Sequence, residues 1–278
     1  MSKIWFITGA GRGIGAEIAK AALAAGDKVV ATGRRIEQLN AAYANHGEQV
    51  LSVALDISRE HDAVAAVEVA LARFGRIDVL VNNAGYGQLG LFEEVASADV
   101  ERQFQTNVFG LMHATRAVLP TMRKRRSGHI LNLASVGGFM GFENASIYCA
   151  AKFAVEGFSE SLALEVAPFG ISVTVVEPGF FRTDFLDKSS VRYDNKKIAD
   201  YEEASAASRS TYDSYNHQQP GDPVKLGRLL VELAAMTEPP LHFVAGSDAV
   251  SFAMGAFERR RSEVETHAAL SSTTDANF

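Results

Sequence analysis

The 278-residue chain predicts an α/β domain: a doubly wound, parallel, Rossmann-like sheet of about seven strands with helices on both faces, layered α/β/α. Three observations carry this. Short apolar runs alternate with helical patterns from Lys3 onward. The first run opens into a glycine-rich turn, Thr8-Gly9-Ala10-Gly11-Arg12-Gly13-Ile14-Gly15, followed by a helix. Residues with chemistry to offer fall at the carboxyl ends of the runs, where such sheets bind ligands.

Composition sets the frame. A net charge of -6 and 47% hydrophobic residues suit one globular domain over residues 1–270. The mild acidity argues against nucleic acid or a membrane surface as partner. No run reaches the roughly 18 apolar residues of a membrane span. A single cysteine excludes an intrachain disulfide and fits a reducing compartment. The start, Lys3-Ile4-Trp5-Phe6-Ile7, lacks the pattern of a signal peptide, so a cytoplasmic location is expected.

Lys3 to Thr8 reads as a buried strand and Ala16 to Ala25 as a helix stopped at Gly26. Glycines let main chain approach a pyrophosphate, and the helix start offers unpaired N–H groups and a positive dipole end. Lys28 to Thr32 is the second strand. An NAD-binding turn usually has an acidic residue at this strand's end, for the ribose hydroxyls. Here that place holds Gly33, then Arg34 and Arg35. No carboxylate repels a 2′-phosphate, and guanidinium groups can hold one, with Arg12 able to face the same region. NADP(H) is therefore favoured over NAD(H); the plainer reading makes both arginines solvated residues that open the next helix.

Ile36 to Asn45 reads as a helix, Val50 to Leu55 as a strand and Arg59 to Phe74 as a helix. Asp56 suits an adenine amino group or a helix cap shared with Ser58. A fourth strand, Asp78 to Val81, runs into Asn82-Asn83-Ala84-Gly85. Ser97 reads as the N-cap of a long helix reaching the basic run Arg123 to Arg126, with Asn107 in its middle. That asparagine either faces solvent or is hydrogen-bonded inside. His129 to Ala134 is the fifth strand, with Ser135 at its end, and Ile171 to Val176 is the sixth.

Tyr148 and Lys152 stand four residues apart on a predicted helix, so phenol and ammonium share a face. A cation beside a phenol stabilises the phenolate and lowers its pKa, which suits proton transfer. A chance pair on an ordinary amphipathic helix is the plainer reading of these two residues alone. The segment from Asp184 to Asp222 breaks the pattern and holds Tyr193, Tyr201, Tyr212 and Tyr215. It reads as a substrate lid or as a surface helix with aromatic anchors. Pro223 to Met236 and Ser247 to about Thr266 read as helices around a last strand, Leu241 to Ala245; residues 271–278 read as an unstructured tail. His217 and His242 look isolated, no metal site is expected, and Cys149 reads as a small packed residue.

These motifs together resemble the classical short-chain dehydrogenase/reductase family, over roughly Lys3 to Gly246. The resemblance rests on TGAGRGIG from Thr8, Asp56, NNAG from Asn82, Asn107, Ser135, the Tyr148/Lys152 pair and PGFFRT from Pro178, in the family's order. The segment ending Leu241 to Gly246 is similar to the hydroxysteroid dehydrogenase-like, or carbonyl reductase, branch. The family implies that Tyr148 is a general acid or base, that Lys152 lowers its pKa and bonds the nicotinamide ribose, and that Ser135 bonds the substrate oxygen. It implies that Asn107 holds a relay water. It implies a cofactor lined by Gly9, Arg12, Gly13, Ile14, Gly15, Arg34, Arg35, Asp56, Ile57, Asn83, Ala84 and Gly85, with Pro178, Gly179, Phe181 and Thr183 at the nicotinamide end. Family members are mostly homodimers or homotetramers built on the helices of Asn107 and Tyr148.

Phe139, Met140, Phe142, Phe180 and Phe181 suggest an apolar small-molecule substrate of moderate size. An NADPH-dependent reductase of a ketone or aldehyde, or the reverse alcohol oxidation, follows. An epimerase or dehydratase on the same fold, or a redox-inactive NADP-binding regulator, are the alternatives. The regulator reading expects loss of Ser135, Tyr148 or Lys152, and all three are present.

Overall fold

The computed structural model describes residues 2–187, 190–193 and 196–276. The first half of the chain alternates β1 (Ile4–Ile7), α1 (Gly13–Ala24), β2 (Lys28–Gly33), α2 (Ile36–Ala42), β3 (Val50–Ala54), α3 (Glu60–Phe74) and β4 (Val79–Asn82). There follow β5 (Gly87–Leu89), α4 (Ser97–Phe104), α5 (Gly110–Arg125), β6 (Gly128–Leu133), α6 (Ser146–Val166) and β7 (Ile171–Pro178). The chain closes with β8 (Val191–Tyr193), α7 (Glu202–Tyr215), α8 (Pro223–Ala235), β9 (His242–Ala245) and α9 (Ser247–Ser271).

Seven of the strands form one parallel sheet in the order β3-β2-β1-β4-β6-β7-β9. Alternate side chains of each strand point to opposite faces, and the core divides accordingly. Trp5, Ile7, Val29 and Val81 pack against Ile18, Ala22, Leu226 and Leu230 of α1 and α8. Ile4, Phe6, Val30 and Leu80 pack against α3, α5 and α6 through Ala66, Val118 and Leu162. Burial on both faces explains why the strands read as unbroken apolar runs.

The strand order reverses between β1 and β4, which opens a crevice at their carboxyl ends. Thr8 ties those ends together. Its hydroxyl accepts from the Asn83 and Ala84 amides at 2.9 and 3.0 Å, and Asn83 Nδ2 donates back to the Thr8 carbonyl at 2.9 Å. A buried chain of side chains locks the next strands: Asn82 donates to Thr115 and Asn132, and Asn132 to Ser159.

Four local expectations are corrected. The helix from Ile36 stops at Ala42 and continues as 3-10 turns to Gln49. Ser97 is the first residue of α4 rather than its cap; Ala96 takes that place without a side-chain bond. The long helix around Asn107 is broken by a π-helical segment, Gln105–Phe109. The described part of the tail is ordered: α9 reaches Ser271 and a 3-10 turn follows, where Ser272, Thr273 and Thr274 hydroxyls bond back to carbonyls of the preceding turn. Asn277 and Phe278 lie outside the described residues.

The 184–222 excursion is partly strand and partly helix. Val191–Tyr193 pairs in parallel with Gly87–Leu89, clasping the excursion to the loop after β4. Alternating hydrophobicity does not mark strands of three residues, so neither was legible beforehand.

Candidate active site

The crevice is a cleft of about 570 Å³ running from the β1 turn to the excursion. At one end the wall is main chain. Gly9 and Gly13 hold φ of 68° and 58°, which disfavours any residue with a Cβ. A Cβ on Gly9 would sit 3.0 Å from Ala84 Cα, and one on Gly15 2.5 Å from the Gly9 carbonyl oxygen and against the Asn83 amide. Arg12, at the N-cap of α1, does not cap the helix with its side chain, so the first amides of the helix can bond an anion. Gly13 and Ile14 of that turn line the cleft.

Arg34 and Arg35 are exposed at the end of β2 and line the same end, as do Asp56, Ile57 and Ser58. Partial burial acts to raise the Asp56 carboxyl, but bonds from the Ser58 hydroxyl and amide, then the charges of Arg59 and Arg34, hold it below its ordinary value. Arg12 reaches across the cleft and donates to Ser190 Oγ at 2.7 Å. A dinucleotide fits these residues: glycines where a side chain would collide, uncapped amides, and cations where a carboxylate is usual.

The middle of the cleft brings Ser135, Tyr148 and Lys152 onto one wall. Ser135 follows β6 in extended backbone and its Oγ accepts from the Gly137 amide at 3.1 Å. Tyr148 and Lys152 lie one turn apart on α6, with Lys152 Nζ 5.8 Å from the Tyr148 ring centroid. Nζ donates to the Leu133 carbonyl at 2.6 Å, which fixes the lysine beneath the end of β6. Burial lowers the ammonium to about 8, and the Glu156 charge opposes that.

The Tyr148 phenol departs from expectation. Burial pushes it up to about 12, with a Ser135 hydrogen bond acting the other way. The phenol is therefore firmly protonated near neutral pH. A cation at 5.8 Å from the ring does not overcome the loss of water around the hydroxyl.

Asn107 is buried in the π segment, and such segments recur at functional sites. Its Nδ2 donates to the Tyr86 carbonyl at 2.9 Å and its Oδ1 accepts from the Tyr86 amide at 3.2 Å. The side-chain amide is thus committed to main chain, as a neighbouring strand would be. Asn83, Ala84 and Gly85 form the adjoining wall, with Pro178, Gly179, Phe180, Phe181 and Thr183 opposite. Gly15 is not in the wall; it is the packing glycine under the turn.

At the far end Phe142, Phe180, Phe185, Leu89, Leu186 and Tyr212 close the cleft. Phe185 packs on Tyr148 with ring centroids 5.7 Å apart, and Phe180 on Tyr215 at 5.1 Å. Phe139 and Met140 are corrected from substrate wall to packing against α9. Of the four tyrosines in the excursion, only Tyr212 reaches the cleft. Phe185, Arg102, Arg192 and Gln219 also line it and had no signal in the sequence, because segments far apart deliver them.

The histidines are not isolated. His242 Nδ1 lies 2.8 Å from Glu177 Oε1 and 3.6 Å from Glu156 Oε2, and His217 Nε2 lies 3.8 Å from Asp187. Those carboxylates come from other elements, which spacing along the chain does not show. Cys149 is buried among Leu89, Ala145 and Val191, as expected.

Comparison with known proteins agrees with this geometry. Residues 3–194 match the family model described as short chain dehydrogenase. The chain is 40% identical over 263 residues to Oxidoreductase BOA17 of Botryotinia fuckeliana, covering 93% of this chain and 94% of the relative. It is 38% identical over 245 residues to a 3-ketodihydrosphingosine reductase of Bacteroides thetaiotaomicron, covering 88% of each. A short-chain dehydrogenase from Streptomyces avermitilis superposes with a TM-score of 0.92 at 40% identity, covering 99% of this chain and 100% of that one. Among more distant structures, a Burkholderia phymatum enzyme in complex with NAD has a TM-score of 0.80 at 26% identity, covering 90% and 91% of the two chains. ElxO with NADP bound has a TM-score of 0.75 at 27% identity, covering 90% of this chain and 100% of that one. The doubly wound sheet, the glycine cradle and these likenesses agree: the chain belongs to the classical short-chain dehydrogenase/reductase family and is an NAD(P)-dependent oxidoreductase.

Proposed function

We propose that the protein is an NADPH-dependent carbonyl reductase, interconverting a ketone or aldehyde with its alcohol. The observation that carries this is the meeting of Ser135, Tyr148 and Lys152 on one wall of the cleft that the glycine cradle opens onto. When bound, the reduced nicotinamide supplies hydride to the substrate's carbonyl carbon. Negative charge then builds on the carbonyl oxygen. Tyr148 gives its phenolic proton to that oxygen, and the Ser135 hydroxyl donates to it as a small oxyanion site. Lys152, anchored on the Leu133 carbonyl, places a positive charge one turn from the phenolate that remains. Burial keeps the phenol protonated at neutral pH, the form that reduction needs as its acid.

Arg34 and Arg35 support NADPH, since they directly follow Gly33, which stands in the place of the usual ribose-binding carboxylate. The walls from Phe142, Phe180, Phe185 and Tyr212 favour an apolar substrate of moderate size. The relative named for 3-ketodihydrosphingosine reduction is, by its name, a ketone reductase.

The test follows NADPH absorbance against a panel of ketones, aldehydes and quinones, in wild type and Tyr148→Phe. Turnover should fall by about 10²-fold or more in the variant while NADPH still binds. Unchanged turnover removes Tyr148 from the chemistry. NADPH binding with no turnover of any class would favour the redox-inactive regulator.

A further inference from the structure

The last helix, α9, is two different surfaces on one rod. Its first half is anchored: Ala249, Ala253 and Ala256 are buried against Val136 and Phe139. From Phe257 to Ser271 every residue is exposed. Two of its residues still touch the body: Phe257 packs on Phe139 with ring centroids 5.7 Å apart, and Arg260 lies over the Phe153 ring of α6 at 5.7 Å. An isolated helix of about 15 residues is marginal in water, so this free half is short of stabilising contacts.

Its sequence supplies a seam for them. Val250, Met254, Phe257, Arg261, Val264, Ala268 and Ser271 follow one another at alternating intervals of four and three, the spacing of coiled-coil a and d positions. The apolar members are bare: Val250 is 50% exposed, Met254 67%, Phe257 51% and Val264 70%. Arg261 interrupts the seam but is paired with Glu258 and Glu265 of its own helix, and its aliphatic stem can cover apolar surface.

The flanks specify the occupant. With Val264 at d and Arg261 at a, the g positions are Arg260 and His267 and the e positions Glu258 and Glu265. In a parallel pair of identical helices each g residue faces the e residue five places on in the other copy. Arg260 then faces a second Glu265, an opposite-charge pair made twice by symmetry. In an antiparallel pair Glu258 would face Glu265, which repels; the parallel pair sets Arg261 beside its copy, a charge that Glu258 and Glu265 of each helix offset.

We propose that α9 is a docking surface for a second copy of this chain, pairing in parallel and in register through the seam from Val250 to Ala268. The seam borders the α6 face, where Arg260 covers the Phe153 ring, but its apolar members lie on α9 and not on the helices of Asn107 and Tyr148, and it does not depend on the proposed activity.

The test is oxidative cross-linking of the full-length chain carrying Val264→Cys, with Thr266→Cys, on the outer side of the same helix, as control. Both sites are exposed, so circular dichroism should match wild type. Parallel pairing puts the two 264 thiols opposite each other at roughly millimolar effective concentration. At micromolar protein the Val264→Cys variant should give disulfide-linked dimer on the order of tenfold faster than the control. Equal rates for the two cysteine variants would overturn the proposal, as would antiparallel pairing, a dimer formed only through α6, or docking of a different protein, since none of these brings the two 264 positions together.

Discussion

At the phosphate end of the cleft the wall is main chain. Gly9 and Gly13 adopt left-handed φ, and Thr8 and Asn83 stitch two strand ends together. At the far end the wall is side chain: Leu89, Phe142, Phe180, Phe185 and Tyr212 arrive from four separate stretches. At the first end Gly9 and Gly15 tolerate almost no change of residue, because atoms of the backbone lie where their Cβ would go. The second is bounded by side chains that can be exchanged without moving a strand. Cofactor binding and substrate choice are therefore separable properties, placed on different kinds of structure.

The largest expected effect comes from breaking the rigid end. Gly15→Ala would drive a Cβ onto the Gly9 carbonyl and the Asn83 amide, and only backbone movement relieves that. A cost of about 1–3 kcal/mol is expected, read as a lower midpoint in denaturant together with weakened NADPH binding. Full stability in this variant would mean that the turn is looser than its contacts indicate.

A charge reversal sharpens the same end without breaking it. Arg34→Asp should turn cofactor preference from NADPH toward NADH by tenfold or more, about 1.4 kcal/mol or greater, measured as the ratio of kcat/KM for the two cofactors. A wild type that already prefers NADH would remove the cofactor argument.

At the soft end, Phe185→Ala removes the ring against Tyr148 and widens the substrate wall. KM for apolar ketones should rise several-fold, while the Kd for NADPH stays within about twofold, as expected of sites with no shared partners. A matching loss of NADPH affinity would show that the two ends are coupled after all.

The smallest effect concerns the carboxylates behind Lys152. Burial first, then the neighbouring Glu177 charge, raises the Glu156 carboxyl well above the usual range. A raised carboxyl keeps its proton in the folded state after the unfolded chain has released it. Its contribution is thus fully present below the ordinary value near 4.5 and is lost as pH rises toward the folded value. Thermal midpoints of wild type should fall between acid and neutral pH, and Glu156→Gln should flatten that slope. Parallel slopes in the two proteins would show that Glu156 stays ionised.

The Tyr148/Lys152 pair shows both the reach and the limit of reading along the chain. Helical spacing placed the two groups on one face, and that held. The expected depression of the phenol did not, because spacing reports neighbours and says nothing about how much water the fold removes. Asn107 was left between solvent and interior; the π segment turned it inward onto Tyr86. His242 looked alone because Glu156 and Glu177 stand far from it in sequence.

The sequence by itself determined the doubly wound sheet, the glycine turn, the arginines after β2 and the Ser135, Tyr148 and Lys152 set. These rest on local rules: apolar runs buried on two faces, glycine where a Cβ collides, and side chains one helical turn apart. Only the tertiary structure decided which aromatic residues face the cleft, where the excursion after Thr183 is clasped, and which charges are stripped of water. Those depend on contacts between segments more than 80 residues apart, such as β5 with β8, and no local pattern encodes a partner at that distance.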